Sequence, residues 1–420
     1  MNFKFAVMAA AVLGAASTAQ AADLAKKAPA AANYVKVCDA YGAGFFYIPG
    51  SETCLKIGGY VYAQYNVWSV KGNFWGGAAG FPYGSGRARN AVATGARMNI
   101  QFDARTATEM GMLRSYIELQ ETIGSQPFTN GTNGNGSINL EKGFIQFAGL
   151  TAGRANSFFD FYTGEHLSSI FETAHSDSIV NLIAYTFSLG NGITASVSIE
   201  DPTTGNGGGR RWAPGANVPG QSPYAGVKHP DYVANLNVTQ AWGSAQLMAA
   251  LHQDYSMAAA PVNGADASKM GWAIGAGAKI NLPMLGASDV FGIQAAYSKG
   301  AISYVSPDWY TGSDFFTAAG KVEQTTAWAV AAGLTHGWTK TLSSSLTASY
   351  AKYDEATAFG IDYRQIDVGG NLAWAPVTGL TMTTEVEYKN VNFTNDALAA
   401  RSGLADTHAL VGFLRIRRDF

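Results

Sequence analysis

A strict alternation of polar and apolar side chains recurs along this chain and constrains its fold more than any other feature. The clearest example runs from Ala91 to Asp103. Its apolar set is Val92, Ala96, Met98, Ile100 and Phe102, and its polar set is Arg97, Asn99, Gln101 and Asp103. Successive side chains of a β-strand point to opposite faces, whereas helical spacing would scatter both sets around the axis. The segment is therefore predicted to be a strand with one apolar and one polar face.

The same alternation predicts sixteen strands along the chain. They are Leu55–Trp68, Ala91–Asp103, Met112–Glu121, Ile138–Phe147, 150–155, 180–188, 193–200, 231–240, 244–255, 272–281, 289–299, 325–336, 343–353, 363–374, 380–389 and 407–420. The connections alternate between short ones, such as Gly190–Gly192, and long ones, such as Asp201–Pro230. This asymmetry is typical of outer-membrane barrels, which have short periplasmic turns and long external loops.

The composition favours the same architecture. Charged residues make up 14 % of the chain, against roughly 25 % in soluble domains. Beyond the N-terminal region, no segment has the run of about 18 apolar residues that a transmembrane helix needs. The formal net charge of −2 lacks the basic excess of nucleic-acid-binding proteins. We therefore predict an all-β fold, a 16-stranded antiparallel transmembrane β-barrel, with no cofactor and no nucleic-acid partner.

The N-terminus has the organisation of a secretory signal peptide. In Met1 to Ala21, Lys4 precedes an apolar run, and small residues lead to a cleavage site at Ala19–Ala21. Polar residues follow the apolar run too soon for a transmembrane helix. The sequence thus predicts export, removal of the signal peptide, an N-terminal periplasmic segment at 22–54 and a barrel at 55–420.

The chain has two cysteines, Cys38 and Cys54. In an oxidising periplasm such a pair usually forms a disulfide, which would stabilise the fold by about 3 kcal/mol through its effect on the unfolded chain. Two thiols without a nearby histidine cluster supply too few ligands for a metal site. A disulfide between them is the prediction.

One stretch, Asn156 to Ser178, interrupts the series of strands. It has no Lys or Arg and carries four carboxylates, which are Asp160, Glu165, Glu172 and Asp177. It is also rich in large apolar side chains, among them Phe158, Phe159 and Phe161. So much apolar surface in one loop is normally packed against something. The alternative is an ordinary solvated external loop.

Two parts of the chain resemble a known family. The segment Tyr34–Val61, with both cysteines and the Tyr47–Gly50 turn, closely resembles the start of the mature chain in alphaproteobacterial general porins. The last strand ends in Phe420 and resembles the assembly signal of outer-membrane barrel proteins. The resemblance is expected to span the whole mature chain.

The resemblance implies a trimeric general diffusion porin of the outer membrane whose third external loop folds into the lumen and narrows it. In the strand count given above, that constriction loop is 156–178. Further implied partners are outer-membrane lipid and lipopolysaccharide, and the periplasmic chaperones and barrel-assembly machinery met during biogenesis. The P-E-F-G-G element of enterobacterial porins is absent. Which carboxylate reaches the narrowest point therefore stays open.

A porin constriction sets opposed charges across a water-filled lumen. Opposite the acidic loop we expect basic residues on inward faces of the first three strands, namely Lys56, Arg97 and Arg114. A fourth candidate is Arg154, whose face is ambiguous. Arg97 and Arg114 flank the same short turn and are predicted at comparable heights. The alternative is that these arginines are solvated lumen residues paired locally with Asp103 or Glu118.

Other classes of function find less support. There is no H-E-x-x-H and no G-x-S-x-G motif, so a barrel hydrolase is disfavoured. A substrate-specific channel for sugars or anions, or an adhesive barrel, is the stronger alternative. Glycine-rich pieces such as Gly205–Arg210 are interpreted as flexible loops because no phosphate-binding G-K-[ST] follows. Aromatic residues near strand ends suit the belts at the membrane interfaces; they are Trp68, Tyr232, Trp272, Tyr297, Trp374 and Phe420.

Overall fold

A computed structural model describes residues 36–71, 91–125, 137–162, 173–204, 209–211, 224–257, 268–306, 313–318, 321–355, 362–394 and 406–420. Sixteen strands form the wall of the molecule. They are β1 Cys54–Lys71, β2 Val92–Thr108, β3 Gly111–Gly124, β4 Asn139–Phe147, β5 Leu150–Asn156, β6 Ile179–Gly190, β7 Ile193–Glu200, β8 Asp231–Gln240, β9 Gly243–Tyr255, β10 Ser268–Asn281, β11 Val290–Lys299, β12 Thr326–Gly337, β13 Leu342–Asp354, β14 Tyr363–Val377, β15 Leu380–Phe393 and β16 Thr407–Asp419.

These strands close into one antiparallel barrel. Each strand pairs with the next in sequence, and β16 returns to pair with β1 from His408–Lys71 to Asp419–Tyr60. The predicted all-β barrel of sixteen strands is confirmed, and each predicted strand overlaps an observed one. The sequence did not predict a small hairpin, Phe315–Ala318 with Lys321–Gln324, in the long connection after β11. Among the described residues no helix is long and apolar enough to cross a membrane.

Two-residue turns explain how neighbouring strands can follow one another so closely. Ala148 and Gly149 join β4 to β5, and Asn191 and Gly192 join β6 to β7. All four have positive φ, at 48°, 90°, 51° and 75°. Positive φ at both central positions gives a turn whose twist matches that of the flanking strands, and Asn and Gly tolerate it best.

The alternating apolar and polar residues of the sequence lie on the outer and inner faces of the wall. On β1, Ile57, Val61 and Tyr65 are exposed on the outside, whereas Gln64 and Asn66 are buried inside. The outward side chains form the apolar band that lipid requires, and the inward ones are polar as in a water-filled barrel. One aromatic was assigned wrongly. Trp68 shares the parity of Gln64 and is buried inside, so it does not belong to an interface belt.

The predicted disulfide between Cys38 and Cys54 is present. It fixes the N-terminal segment to the start of β1, where Phe46 and Tyr47 add a short strand beside Leu55 and Cys54. The predicted signal peptide lies outside the described residues. At the other end, the backbone of Phe420 exchanges two hydrogen bonds with Gly59 of β1. Its role as an assembly signal stays a prediction.

A glycine on β5 offers a direct test of how tightly the wall is built. Gly153 has φ +130°, and a Cβ placed there would lie 2.3 Å from the carbonyl oxygen of Gly143 on β4. We expect Gly153→Val to destabilise the barrel by more than the ~1–3 kcal/mol of backbone strain alone. The unfolding midpoint in detergent, read from heat-modifiable migration, measures the effect. Gly226→Ala is the control because nothing lies within 4 Å of that site and its φ is not positive. Equal midpoints for both variants would contradict the expectation.

Candidate functional site

The third long connection, between β5 and β6, folds into the barrel. We call it loop 3; its described parts are 157–162 and 173–178. Its backbone hydrogen bonds follow the inward side chains of one strand after another. They join Phe158 N to Glu200 Oε1 (2.9 Å), Asn235 Nδ2 to Phe158 O (2.6 Å), Gln246 Nε2 to Asp160 O (3.2 Å), Tyr162 N to Gln294 Oε1 (2.9 Å) and Ala174 N to Ser349 Oγ (2.9 Å). Loop 3 therefore covers the inner wall from β7 to β13, and the predicted inward fold is confirmed.

Small side chains make room for this loop. The inward positions of β9 to β13 include Ala250, Ala273, Gly275, Gly277, Ala296, Ala329, Ala331, Gly333 and Ala351. A Cβ on Gly277 would lie 2.5 Å from Cδ1 of Phe161, and one on Gly333 would lie 2.4 Å from the hydroxyl of Tyr162. Phe159 and Tyr162 are completely buried. The aromatic residues of loop 3 thus pack into recesses that the wall leaves open for them.

A buried arginine from the next long connection holds the root of loop 3. Arg210 is fully buried, and its Nη2 lies 3.0 Å from Oδ1 of Asp160. Its Nη1 donates to Ser176 Oγ (2.8 Å) and to the carbonyl oxygen of Ser303 (2.9 Å). The guanidinium also stacks on Tyr304 at 4.1 Å. Arg210 therefore links three long connections at one point. The predicted flexible loop, Gly205–Arg210, is wrong for Arg210, and residues 205–208 lie outside the described residues.

The four carboxylates predicted for the constriction differ in their surroundings. Asp160 is buried in the loop's own structure, where it accepts hydrogen bonds from Ser176 and from the backbone N–H of Ser178 (2.7 Å). Burial raises the pKa of the Asp160 carboxyl, although Arg210 opposes the shift. Glu165 and Glu172 lie outside the described residues. Asp177 is the other described carboxylate, and it is partly exposed.

Two positive charges act on the carboxyl of Asp177. Burial raises the pKa of its carboxyl, whereas the positive charges of Arg210 and Lys142 oppose that shift. Lys142 belongs to β4 and faces inward, opposite Glu118 of β3. The carboxyl of Asp177 therefore lies near the positive charges of Arg210, at the root of loop 3, and of Lys142 on β4.

A row of arginines and tyrosines lines that uncovered side. Arg97 of β2 and Arg417 of β16 both pair with Tyr62 of β1. The guanidinium of Arg97 lies 5.4 Å from the Tyr62 ring, and that of Arg415 lies 4.3 Å from the same ring. Arg417 stacks on Tyr60 at 3.9 Å. Arg97 Nε also donates to Thr122 Oγ1 (2.7 Å). The sequence predicted an inward face for Arg97, and the register agrees.

Arg97 and Arg114 are not at comparable heights, contrary to the prediction. Arg97 pairs with Thr122, whereas Arg114 pairs with Arg105. Position 105 is eight residues from 97 along β2, or about 27 Å at the usual rise per residue. Arg114 lies near the short-turn end and is held by Asp103 through two hydrogen bonds of 2.9 and 3.0 Å. The alternative of local pairing with Asp103 is thus correct for Arg114.

Two other predicted basic residues also lie apart from Arg97. Lys56 faces inward near the short-turn end, 6.0 Å from the ring of Phe45 in the N-terminal segment. Arg154 pairs with Gly143 and Asn181, which share the outward parity of the wall. Its guanidinium donates to the backbone carbonyls of Leu140 (3.1 Å) and Glu141 (3.2 Å). Arg154 is therefore on the outer surface, and its assignment to the pore wall was wrong.

Several charged residues on β14 and β15 were not predicted from the sequence. Asp367 and Lys389 form a buried ion pair of 3.0 Å, and Glu385 and Glu387 follow on the same inward face of β15. The signal was available, because these residues alternate with outward Val386 and Tyr388. The uncovered wall thus runs from carboxylates on β14 and β15 to guanidiniums on β16 and β2.

Comparison with known proteins identifies this architecture. A family model described as "Porin subfamily" matches residues 23–412. The chain belongs to this porin family. Porin Omp2b of Brucella suis is 30 % identical over 438 residues, with both chains covered in full. Porin Omp2b of Brucella abortus (strain 2308) is 30 % identical over 436 residues, again with full coverage.

A solved structure supports the fold. The outer membrane channel DcaP of Acinetobacter baumannii has a TM-score of 0.70 and 16 % identity, and the match covers 89 % of this porin and 99 % of that chain. At that identity the likeness concerns the fold alone. The family and its relatives make this chain a general diffusion porin of the outer membrane, in which small hydrophilic solutes and ions pass through the lumen.

The buried arginine gives a test of how loop 3 is held. Arg210→Met leaves the buried Asp160 carboxylate without its ion-pair partner, and breaking a buried pair in this way typically costs about 3–5 kcal/mol. We expect a lower unfolding midpoint together with larger and noisier single-channel currents, because the root of loop 3 is released. Adding Asp160→Asn to the variant should recover part of the lost stability. Arg211→Met is the control, since the neighbouring Arg211 is not fully buried. Matching currents and midpoints in Arg210→Met and Arg211→Met would refute this role.

Proposed function

We propose that this porin sieves and orients solutes at a constriction between loop 3 and the uncovered wall from β14 to β3. The observation that carries the proposal is the position of loop 3. It hydrogen-bonds along the inner wall from β7 to β13, so the open path lies on the other side. There the row of Arg417, Tyr62 and Arg97 faces the lumen.

The charges of the two sides support a transverse field. Among the described residues, Arg97 has hydrogen-bonding and aromatic contacts but no carboxylate within ion-pair distance. Its positive charge is therefore not cancelled locally. Asp177 supplies negative charge from the root of loop 3, and Glu165 and Glu172 belong to the same loop. Opposed charges across a narrow aqueous pore orient dipolar solutes and bias ion selectivity.

The same proposal includes a homotrimer, with export through the signal peptide at Met1–Ala21. Support for the trimer comes from the uneven distribution of outward tryptophans. Outward Trp residues such as Trp272, Trp328 and Trp374 lie on β10 to β14, whereas the described outward face from β16 through β1 to β5 has no Trp, although Tyr65 is exposed there. Tryptophan is typical of walls that meet lipid headgroups. A wall without outward tryptophans suits contact with neighbouring subunits, and crosslinking in native membranes tests this assignment.

Replacing Arg97 tests the constriction. We expect Arg97→Glu to shift selectivity toward cations, because it replaces an unpaired positive charge in the lumen by a negative one. Arg97→Gln should give a smaller shift in the same direction. The measurement is the reversal potential of single channels in a salt gradient. Arg154→Gln is the control, since Arg154 lies on the outer surface and its loss should leave the potential unchanged. An unchanged potential in Arg97→Glu would place the constriction elsewhere.

Acidification tests the part played by Asp177. Its pKa is raised by burial, so its carboxyl becomes neutral at a higher pH than the usual value of about 3.9. As the pH falls through this raised pKa, the lumen loses a negative charge and permeability to anions should rise relative to cations. At neutral pH, Asp177→Asn should already have the ion selectivity that wild type reaches only at acidic pH. Reversal potentials measured from pH 7 to pH 3 check both statements, and identical curves for the two proteins would rule out a role for Asp177.

A further inference from the structure

A histidine and two aspartates, all fully buried, meet inside the barrel at the end that carries the long connections. His252 and Asp254 are inward residues near the end of β9, and Asp314 belongs to the connection between β11 and β12. One ligand atom of each residue lies within 4.8 Å of those of the other two. Nε2 of His252 is 3.9 Å from Oδ2 of Asp314. We call these three residues the His–Asp cluster.

The three ligand atoms surround a common centre, and the phenol oxygen of Tyr224 marks its position. This oxygen lies 2.9 Å from Nε2 of His252, 3.1 Å from Oδ1 of Asp254 and 2.7 Å from Oδ2 of Asp314. A phenol has a single hydrogen, so it can donate to only one of the two carboxylates at a time. A cation at the same centre would attract both carboxylates at once.

The imidazole of His252 is oriented as in a metal-binding histidine. Its Nδ1 lies 2.7 Å from Oδ1 of Asp231, which is also fully buried. Because a carboxylate accepts hydrogen bonds, Nδ1 carries the hydrogen, and the neutral ring presents the lone pair of Nε2 to the centre. Asp231 in turn accepts a hydrogen bond of 2.7 Å from the hydroxyl of Tyr304. Histidines that bind metals almost always donate their other N–H to a partner such as a carboxylate, which fixes the ring.

Asp254 lacks a long cationic partner. Its Oδ1 faces Tyr224, and its Oδ2 accepts a hydrogen bond of 2.7 Å from Gln324. Lys269 is opposite Asp254 in the ladder but is exposed, and among the described residues no Lys or Arg lies within ion-pair distance of Asp254. A buried carboxylate is costly unless its charge is paired. A divalent ion would neutralise Asp254 and Asp314 together.

We infer that His252, Asp254 and Asp314 form a binding site for a divalent transition metal ion of the zinc class. Imidazole nitrogen and carboxylate oxygens are typical zinc ligands, whereas calcium takes about six to eight oxygens at longer distances. Two ligand atoms at about 2.0 Å from a tetrahedral zinc ion are about 3.3 Å apart. The 3.9 Å between Nε2 and Oδ2 therefore has to shorten only slightly. The ion takes the centre, and the phenol oxygen of the partly exposed Tyr224 moves outward and supplies the fourth ligand.

A bound ion joins three parts of the chain. His252 and Asp254 come from β9, and Asp314 comes from the connection between β11 and β12. Tyr224 belongs to the connection between β7 and β8. The ion thus fixes two long connections to the wall. The site is separate from the proposed constriction, because the His–Asp cluster contains no residue of loop 3 or of the uncovered wall from β14 to β3.

Metal titration of the full protein in detergent tests the site. Protein treated with EDTA is titrated with ZnCl₂ and with CoCl₂, whose visible absorption reports the type and number of ligands, and with CaCl₂ and MgCl₂ for comparison. The variants are Asp314→Asn and His252→Gln. The control is His229→Gln, which removes an exposed histidine from the connection before β8. The unfolding midpoint with and without ZnCl₂ gives a second measurement.

We expect wild type to bind one zinc ion per chain at least tenfold more tightly than calcium or magnesium, and zinc to raise its unfolding midpoint. Asp314→Asn and His252→Gln should each bind zinc at least tenfold more weakly and lose the rise in midpoint, whereas His229→Gln behaves like wild type. Asp231→Asn keeps all the ligands but should weaken zinc binding by about 10–100-fold, because the imidazole loses the partner that orients it.

Two results for wild type alone would overturn the inference, whether or not the variants fold. One is the absence of zinc binding, and the other is calcium binding as tight as zinc binding. Equal zinc affinity in wild type and folded Asp314→Asn would also contradict the site, as would a cobalt spectrum that His252→Gln leaves unchanged.

Discussion

Every backbone N–H and C=O group that crosses a membrane must find its partner within the protein, because hydrocarbon offers none. This porin meets that requirement by pairing β16 with β1 from His408–Lys71 to Asp419–Tyr60, so that no strand edge is left open. Because the wall is a single closed sheet, one face of each strand meets lipid and the other face meets water or loop 3. The strict alternation of the sequence is the direct consequence of that geometry.

The interior then depends on how loop 3 is accommodated. A barrel of sixteen strands encloses more space than its own side chains fill, and here part of that space is taken by aromatic residues that need recesses. Gly277 and Gly333 leave room for Phe161 and Tyr162. The small residues of β9 to β13 and the aromatics of loop 3 are thus one packing unit. The uncovered wall opposite keeps its long charged side chains, and this asymmetry defines the path for solutes.

The strands, the inward fold of the loop and the disulfide could be predicted from the sequence, because a period of two residues and the family resemblance are both strong signals. The heights of charges along the strands could not. The second strand was predicted to end at Asp103, but β2 continues to Thr108 and β3 begins at Gly111. Because the turn lies further along the chain than predicted, Arg97 is far from it and Arg114 is close to it. The sequence also could not show which face of the wall Arg154 occupies. Its strand, β5, has only seven residues, and it follows β4, whose pairing with β3 shifts in register between Glu118 and Leu119.

Arg210 shows why partners that are distant in sequence cannot be predicted from the sequence alone. Its neighbours in sequence are glycines, which favour a loop, and nothing local indicates that the guanidinium will reach Asp160 in another loop. A buried ion pair is weak evidence for net stability, because the cost of removing both charges from water offsets much of their attraction. Its stronger effect is on position. An unpaired Asp160 or Arg210 would be costly anywhere in the interior, so arrangements of loop 3 that separate them are disfavoured. Because Asp177 directly follows Ser176, which binds Arg210, the same contacts also limit where the backbone of Asp177 can lie.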